Sequence, residues 1–335
     1  MKKTLTLAFA LCLALCACTG KTELSGSFIC GDADAYAVCD NGFFTAKAGN
    51  VKCFDSTGNV SFERELELMP AHITQNAALA AAYAEGGRSV VYSDGEVIIA
   101  DNEILCARLS EKAYLALCTK EPGYMGSVTV YSPEKKAVYK WYCAKQRLIS
   151  AAVSPDGKLL AVLTDEHIRL FSLDSETERG SFECSDLQDI VWLGERVCGI
   201  GDSGAYVCDD KGKAKGRREF SGRTTGKFGV LDKKLIIEVR EHAYGGMGDV
   251  YILDDSLDIN NRISPDGEVW HLDCRNKKIA ILTQKGVNVY SDKAKLMLSE
   301  SVSGAREVLL IDNGDVIAVG GGSVWNCGYR EMNNS

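Results

Sequence analysis

Four histidines, His72, His167, His242 and His271, are the natural first candidates for metal ligation or proton transfer, and no two of them share a metal-binding spacing. Trp270-His271-Leu272-Asp273-Cys274 reads as an ordinary strand with Trp270, Leu272 and Cys274 on one face and His271 with Asp273 on the other. Tyr244-Gly245-Gly246-Met247-Gly248-Asp249 has the glycine content of a phosphate-binding loop. It lies between two strand-like runs and opens no helix, so a long hairpin is the better reading. No G-x-S-x-G, H-E-x-x-H or Walker pattern occurs. The sequence therefore assigns no catalytic residue, no metal ligand and no cofactor.

One residue does sit in a setting that specifies chemistry. Lys2 and Lys3 precede an apolar run from Thr4 to Ala17, 14 residues long. A membrane span needs about 20 apolar residues, whereas a signal h-region is shorter. The run ends in Leu15-Cys16-Ala17-Cys18. This resembles the lipobox of bacterial lipoproteins, in which the cysteine thiol is acylated before cleavage. Leu15, Ala17 and Cys18 match that pattern; Cys16 is less usual at its position. A plain secretory signal and a short membrane anchor are the alternatives. The expected organisation is a signal peptide at 1–17, lipidation at Cys18, a tether at 18–26 and one folded domain at 27–330.

Charge and cysteine content narrow the function classes. The chain of 335 residues has 38 basic and 46 acidic residues, and loss of Lys2 and Lys3 leaves 36 against 46, near −10. That balance lacks the concentrated basic face of a nucleic-acid binder and the polybasic segment that attracts anionic lipid. Of 14 cysteines, Cys12, Cys16 and Cys18 belong to the signal and 11 to the body. An odd number leaves at least one thiol free. Most lie in apolar runs such as "VKCF" and "LALC", where cysteine behaves as a small hydrophobe. Buried free thiols are expected over a disulfide scaffold.

What positions these residues is a repeat. "VKCFD", "SVVYS", "VTVYS", "IRLFS", "AYVCD", "VYILD", "VNVYS" and "SVWNC" recur at intervals of 38, 39, 40, 37, 45, 37 and 36 residues. A period near forty with several strands per unit is the mark of propeller blades. Units such as "ISAAVS", "KLLAVLT", "IRLFS", "ERGSFEC" supply four strands each, a to d outward from the axis. Inner strands such as "LLAVLT", "KIAILT", "ALAAAYA" and "DVIAVGG" are continuous apolar runs, as strands covered on both faces must be. Ser154-Pro155-Asp156-Gly157 and Ser264-Pro265-Asp266-Gly267 both predict turns with a positive φ at glycine. The fold class is all-β, a β-propeller of eight four-stranded blades, or seven if one anchor is misassigned. The last unit lacks a fourth strand, and Ser25–Gly31 is expected to supply it and close the ring.

Residues 35–327 resemble an uncharacterised group of bacterial membrane-anchored propellers, within the wider class of quinoprotein-like and WD40-like repeats. The resemblance rests on "VTVYSPEKKAVYKWY", "LISAAVSPDGKLLAVLT", "GVNVYSDKAKLM" and "GAREVLLIDNGDVIAVGGG". It implies fold and location, and no activity. Asp55-Ser56-Thr57-Gly58 resembles the D-x-T-G turn of quinoprotein repeats, but "NVSFERE" after it holds no docking tryptophan. A plain turn is the better reading, and a quinone cofactor has no further support.

Two hairpins stand out. Thr119–Ser127 carries Tyr124 and Met125; Glu241–Asp249 carries His242, Tyr244 and Met247. Both join the second and third strands of their units, the third and the sixth, so both must emerge on one face. Tyrosine and methionine among glycines offer adaptable apolar contact. The expected function is an extracytoplasmic, lipid-anchored interaction scaffold or sensory component at the cell envelope. Its partners would be proteins at the membrane, with the propeller itself a monomer. A ligand or glycan binder using the central funnel is the alternative. An enzyme is the third reading, for which no residues can be named.

Overall fold

The computed structural model describes residues 27–327 other than 41, 68–69 and 312–313. The signal segment, Cys18 and the tether up to residue 26 lie outside the described residues, as do 328–330. Among the described residues no helix is long and apolar enough to cross a membrane.

Eight four-stranded antiparallel sheets form. Blades 1 to 7 run in chain order as 35–66, 71–99, 104–143, 148–183, 187–219, 224–263 and 269–300. Blade 8 takes three strands from the C-terminal end, Glu307–Leu310, Val316–Gly320 and Ser323–Asn326. Its outermost strand is Phe28–Ile29, with Phe28 opposite Val324 and Ile29 opposite Ser323. The ring therefore has eight blades, not seven, and closes by joining the two ends of the chain. Of the segment Ser25–Gly31 expected for it, Phe28–Ile29 forms the strand and 25–26 lie outside the described residues.

Packing explains the apolar inner strands. There is no single central core. Eight hydrophobic clusters each lie between two neighbouring blades. In Leu115–Thr119, Leu115 and Leu117 pack toward blade 2 while Ala116 and Cys118 pack toward blade 4. Strict alternation of polar and apolar residues is impossible for such a strand, because both its faces are interior. The closing interface holds Phe28 edge-on to Phe43 with ring centroids 5.6 Å apart, and it binds blade 8 to blade 1. All eleven cysteines of the described residues are free; eight are buried and Cys106, Cys184 and Cys274 are half-buried.

The serine or aspartate that ends the repeat anchors has a local cause. Asp55, Asp209 and Asp254 each begin the turn between strands c and d. In each case the side chain accepts backbone N–H groups two and four residues on, as from Thr57 and Asn59 to Asp55. Ser291 does the same through its hydroxyl. The third residue after the anchor carries the positive φ, at Gly58, Gly212, Leu257 and Ala294. Asp55-Ser56-Thr57-Gly58 is thus one copy of a turn that several blades share.

Two local expectations are corrected. Gly157 has φ +77° as its turn requires, and a Cβ there would come within 2.6 Å of the Tyr114 ring. Gly267, in the same four-residue motif, has no positive φ; it lies in a connection between blades rather than inside a hairpin. Trp270 does not share a face with Leu272 and Cys274. A bulge between Val269 and His271 displaces it, leaving it 44% exposed while Leu272 and Cys274 pack between blades 6 and 7.

Candidate functional site

Turns between strands b and c emerge on the same face as the connections from one blade to the next. Both tyrosine–methionine hairpins lie there. In blade 3, Leu115–Thr119 leads through the hairpin to Gly126–Tyr131; in blade 6, Lys234–His242 leads to Gly245–Leu253. Tyr124 is 46% and Met125 51% exposed, against 104% for Tyr244 and 64% for Met247. His242 is exposed and pairs with Gly245, so Ala243 and Tyr244 alone make the tip. The structure brings these five residues to one face but not to one patch, because blades 4 and 5 stand between them. Sequence reasoning missed two further aromatic residues of this face. Tyr142 lies 5.0 Å from the Tyr124 ring. Trp270 lies two residues beyond Glu268, whose carboxylate accepts the Gly246 N–H.

The axial channel is lined by the eight innermost strands, and it is charged. Arg108 of blade 3 reaches across blade 4 to Asp189 of blade 5 at 2.5 Å, and Ser150 donates to the same carboxylate. Between blades 7 and 8, Asp273 accepts the Leu310 N–H and His271 Nδ1 lies 3.1 Å from the Val308 carbonyl oxygen; between blades 2 and 3, Thr74 accepts the Leu109 N–H. These contacts have a common structural cause. The innermost strand of each blade has a free edge toward the axis, and its backbone groups need partners. Side chains one blade away supply them. His271 and Asp273 are therefore more than the outward half of an ordinary strand. His271 Nε2 also stands 3.8 Å from Glu307. Burial pushes the Glu307 carboxyl up to about 7, and the nearby Asp273 charge adds to this against the pull of Lys227. Burial holds the His271 pKa below its ordinary value.

At the mouth of the channel, on the hairpin face, a cavity of about 410 Å³ opens between blades 5 and 6. Gln188, Asp202, Thr224, Thr225, Lys227 and Arg240 line it, and Ala243 of the blade 6 hairpin overhangs it. A second cavity of about 360 Å³ lies beside Tyr124 and Met125. A third, about 670 Å³, opens on the opposite face over blades 4 and 5. Among its lining charges Arg179 pairs with Asp210 and Arg196 with Asp255. Among the described residues no group of histidine, cysteine and carboxylate side chains could hold a metal ion.

No protein-family model matches the sequence, and no curated protein matches it. Solved structures do. The crystal structure of BamB from Moraxella catarrhalis is 14% identical with a TM-score of 0.59, over 91% of this chain and 99% of that one. The hydrazine synthase of Kuenenia stuttgartiensis is 14% identical with a TM-score of 0.54, over 79% of this chain and 96% of that one. The likeness is one of fold. It spans nearly the whole BamB chain, so the eight-bladed ring is a complete architecture shared with a known propeller. At this identity neither neighbour transfers a residue or an activity.

Proposed function

We propose that this protein is a lipid-anchored, extracytoplasmic propeller that holds a protein partner at the cell envelope. The observation that carries the reading is Tyr244, fully exposed at the tip of the longest hairpin, with Met247 beside it and Tyr124 and Met125 on the same face. Tyrosine and methionine are enriched where partners cover a surface. Acylation of Cys18 would keep the ring within reach of one leaflet, and the tether at 18–26 would set its distance. Sharing a fold with BamB is consistent with an assembly role and does not itself assign one.

The test compares three forms in membranes and in affinity capture. Cys18→Ala should move the protein out of the membrane fraction or leave the precursor uncleaved. Tyr124→Ala with Tyr244→Ala should weaken partner capture about tenfold or more, the usual cost of losing interface anchors, with the ring still folded. Unchanged attachment in the first would remove the anchor from the account, and undiminished capture in the second would remove the hairpin face.

A further inference from the structure

We propose that the cavity between blades 5 and 6 binds the oxyanion group of a small molecule, a carboxylate or a phosphate, between the Arg240 guanidinium and the Lys227 ammonium. This goes beyond a scaffold role and names a second, small-molecule site on the same face.

The first ground is cationic charge without a contact ion pair: Lys227 acts on the Glu238 and Glu307 carboxyls, and Arg240 on Glu238, only from a distance. Arg240 Nε is buried and has no hydrogen-bond partner. Among the described residues neither Arg240 nor Lys227 forms an ion pair, although both line the cavity. The other two arginines at blade 6 are engaged. Arg223 donates to Asp249 and to the Val239 carbonyl, and Arg262 pairs with Asp249 at 2.7 Å. A buried guanidinium N–H without a partner is costly, and Arg223 Nε is in the same state.

The second ground is how the wall is built. Glu238 is fully buried beneath it; Oε2 accepts the Lys227 N–H at 2.9 Å while Oε1 has no partner. Gly226 packs against the Glu238 carboxyl and Arg240 Nε at the cavity wall. A Cβ at Gly226 would lie 2.2 Å from Glu238 Oε2 and 3.0 Å from Arg240 Nε. Only a residue with no side chain leaves room for both the carboxyl and the guanidinium at that wall. A register irregularity between Thr225 and Phe228 puts this glycine and Lys227 out of the regular pairing, as bulges do where a side chain is re-aimed.

The third ground is the choice of anion over cation. Both carboxylates near the cavity are already committed on one oxygen, Asp202 to the Gln188 amide at 2.6 Å and Glu238 to the backbone. Burial raises the Glu238 pKa, against the opposing pull of the Lys227 N–H and of the Arg240 and Lys227 charges. The Thr224 hydroxyl and the second Gln188 amide N–H remain as donors. Arginine offers the fork that fits a carboxylate or phosphate edge, and lysine a point charge beside it. About 410 Å³ is the size of a metabolite rather than a macromolecule.

Calorimetric titration of the purified protein with inorganic phosphate, acetate and succinate, each against matched sodium chloride, tests this. At least one should bind, and the pattern among them separates a phosphate from a mono- or dicarboxylate. Arg240→Gln and Lys227→Gln should each weaken that binding roughly 10- to 100-fold, as loss of one charge-assisted hydrogen bond does, with the melting temperature in chloride unchanged. Gly226→Ala should block it if the variant folds. No binding of any of the three at 10 mM, or binding equally strong in both charge variants, would overturn the proposal.

Discussion

The hairpins of blades 3 and 6 occupy the same place in the repeat and hold the same pair of large side chains, but their surroundings differ. In blade 3 the turn is tied down. Met125 donates its N–H to the Cys143 carbonyl, Ser127 donates to Glu121, Lys140 pairs with that carboxylate at 3.0 Å, and Tyr124 lies against Tyr142. In blade 6 the two strands run nine residues each, where strands b and c elsewhere have four to six. Among the described residues, the tip is fastened outside its own two strands by the Gly246 N–H donated to Glu268. Propeller geometry decides where a hairpin emerges. The residues beside it decide whether its tip is part of the fold or free to meet something else.

That contrast can be broken by substitution. Gly126 has φ +150°, and a Cβ there would come within 3.0 Å of Leu148 and 3.2 Å of the Thr119 carbonyl oxygen. Gly246 has φ +101° with its nearest neighbour 4.0 Å away. Gly126→Ala should cost about 2–4 kcal/mol by urea denaturation, and Gly246→Ala about 1–2 kcal/mol, since only the first adds crowding to backbone strain. Equal costs would mean the blade 3 hairpin is no better packed than its counterpart.

A pH series separates both hairpins from the channel. Glu307 has its pKa raised to about 7, above the unfolded value. Its protonated form therefore favours the folded state, and that contribution is lost as pH climbs from about 4.5 through 7. Glu307→Gln cannot lose it. Relative to the parent, the variant should gain on the order of 1–3 kcal/mol between pH 5 and pH 8. Parallel stability curves for the two proteins would place Glu307 in solvent rather than in the channel wall.

Smaller effects sharpen the comparison further. Tyr124→Ala should lower stability by about 1 kcal/mol, the value of an aromatic pair. Tyr244→Ala should change it by less than about 0.5 kcal/mol, as for an exposed site. Thermal melts of the two single variants read this directly, and a larger loss at Tyr244 would reverse the assignment of held and free.

The architecture was legible because a propeller repeats its turn chemistry. A serine or aspartate at the end of strand c caps the turn in seven of the eight anchors, so the blades could be counted without knowing a single contact. The ring closure followed from a missing strand. Finer features were not legible for definite reasons. The bulge at Trp270 depends on pairing register, which periodicity does not encode. The empty valence of Arg240 and the buried Glu238 depend on what neighbouring strands fail to supply. One signal was present and unused. Axial contacts link residues one period apart, His271 to Val308 and Asp273 to Leu310 at 37 and Ser150 to Asp189 at 39. Polar residues one repeat apart on innermost strands are thus candidates for mutual contact. The expectations for Cys18 and residues 1–26 concern a part of the chain outside the described residues.

Site-specific photo-crosslinking in intact cells tests the central claim most directly. A photoreactive residue replaces Tyr244, Tyr124 or, on the opposite face, Glu176 in the c–d turn of blade 4. The account predicts a discrete crosslinked product from Tyr244, a weaker one from Tyr124 and none from Glu176. Crosslinks from Glu176 alone, or of equal yield at all three positions, would contradict a partner seated on the hairpin face.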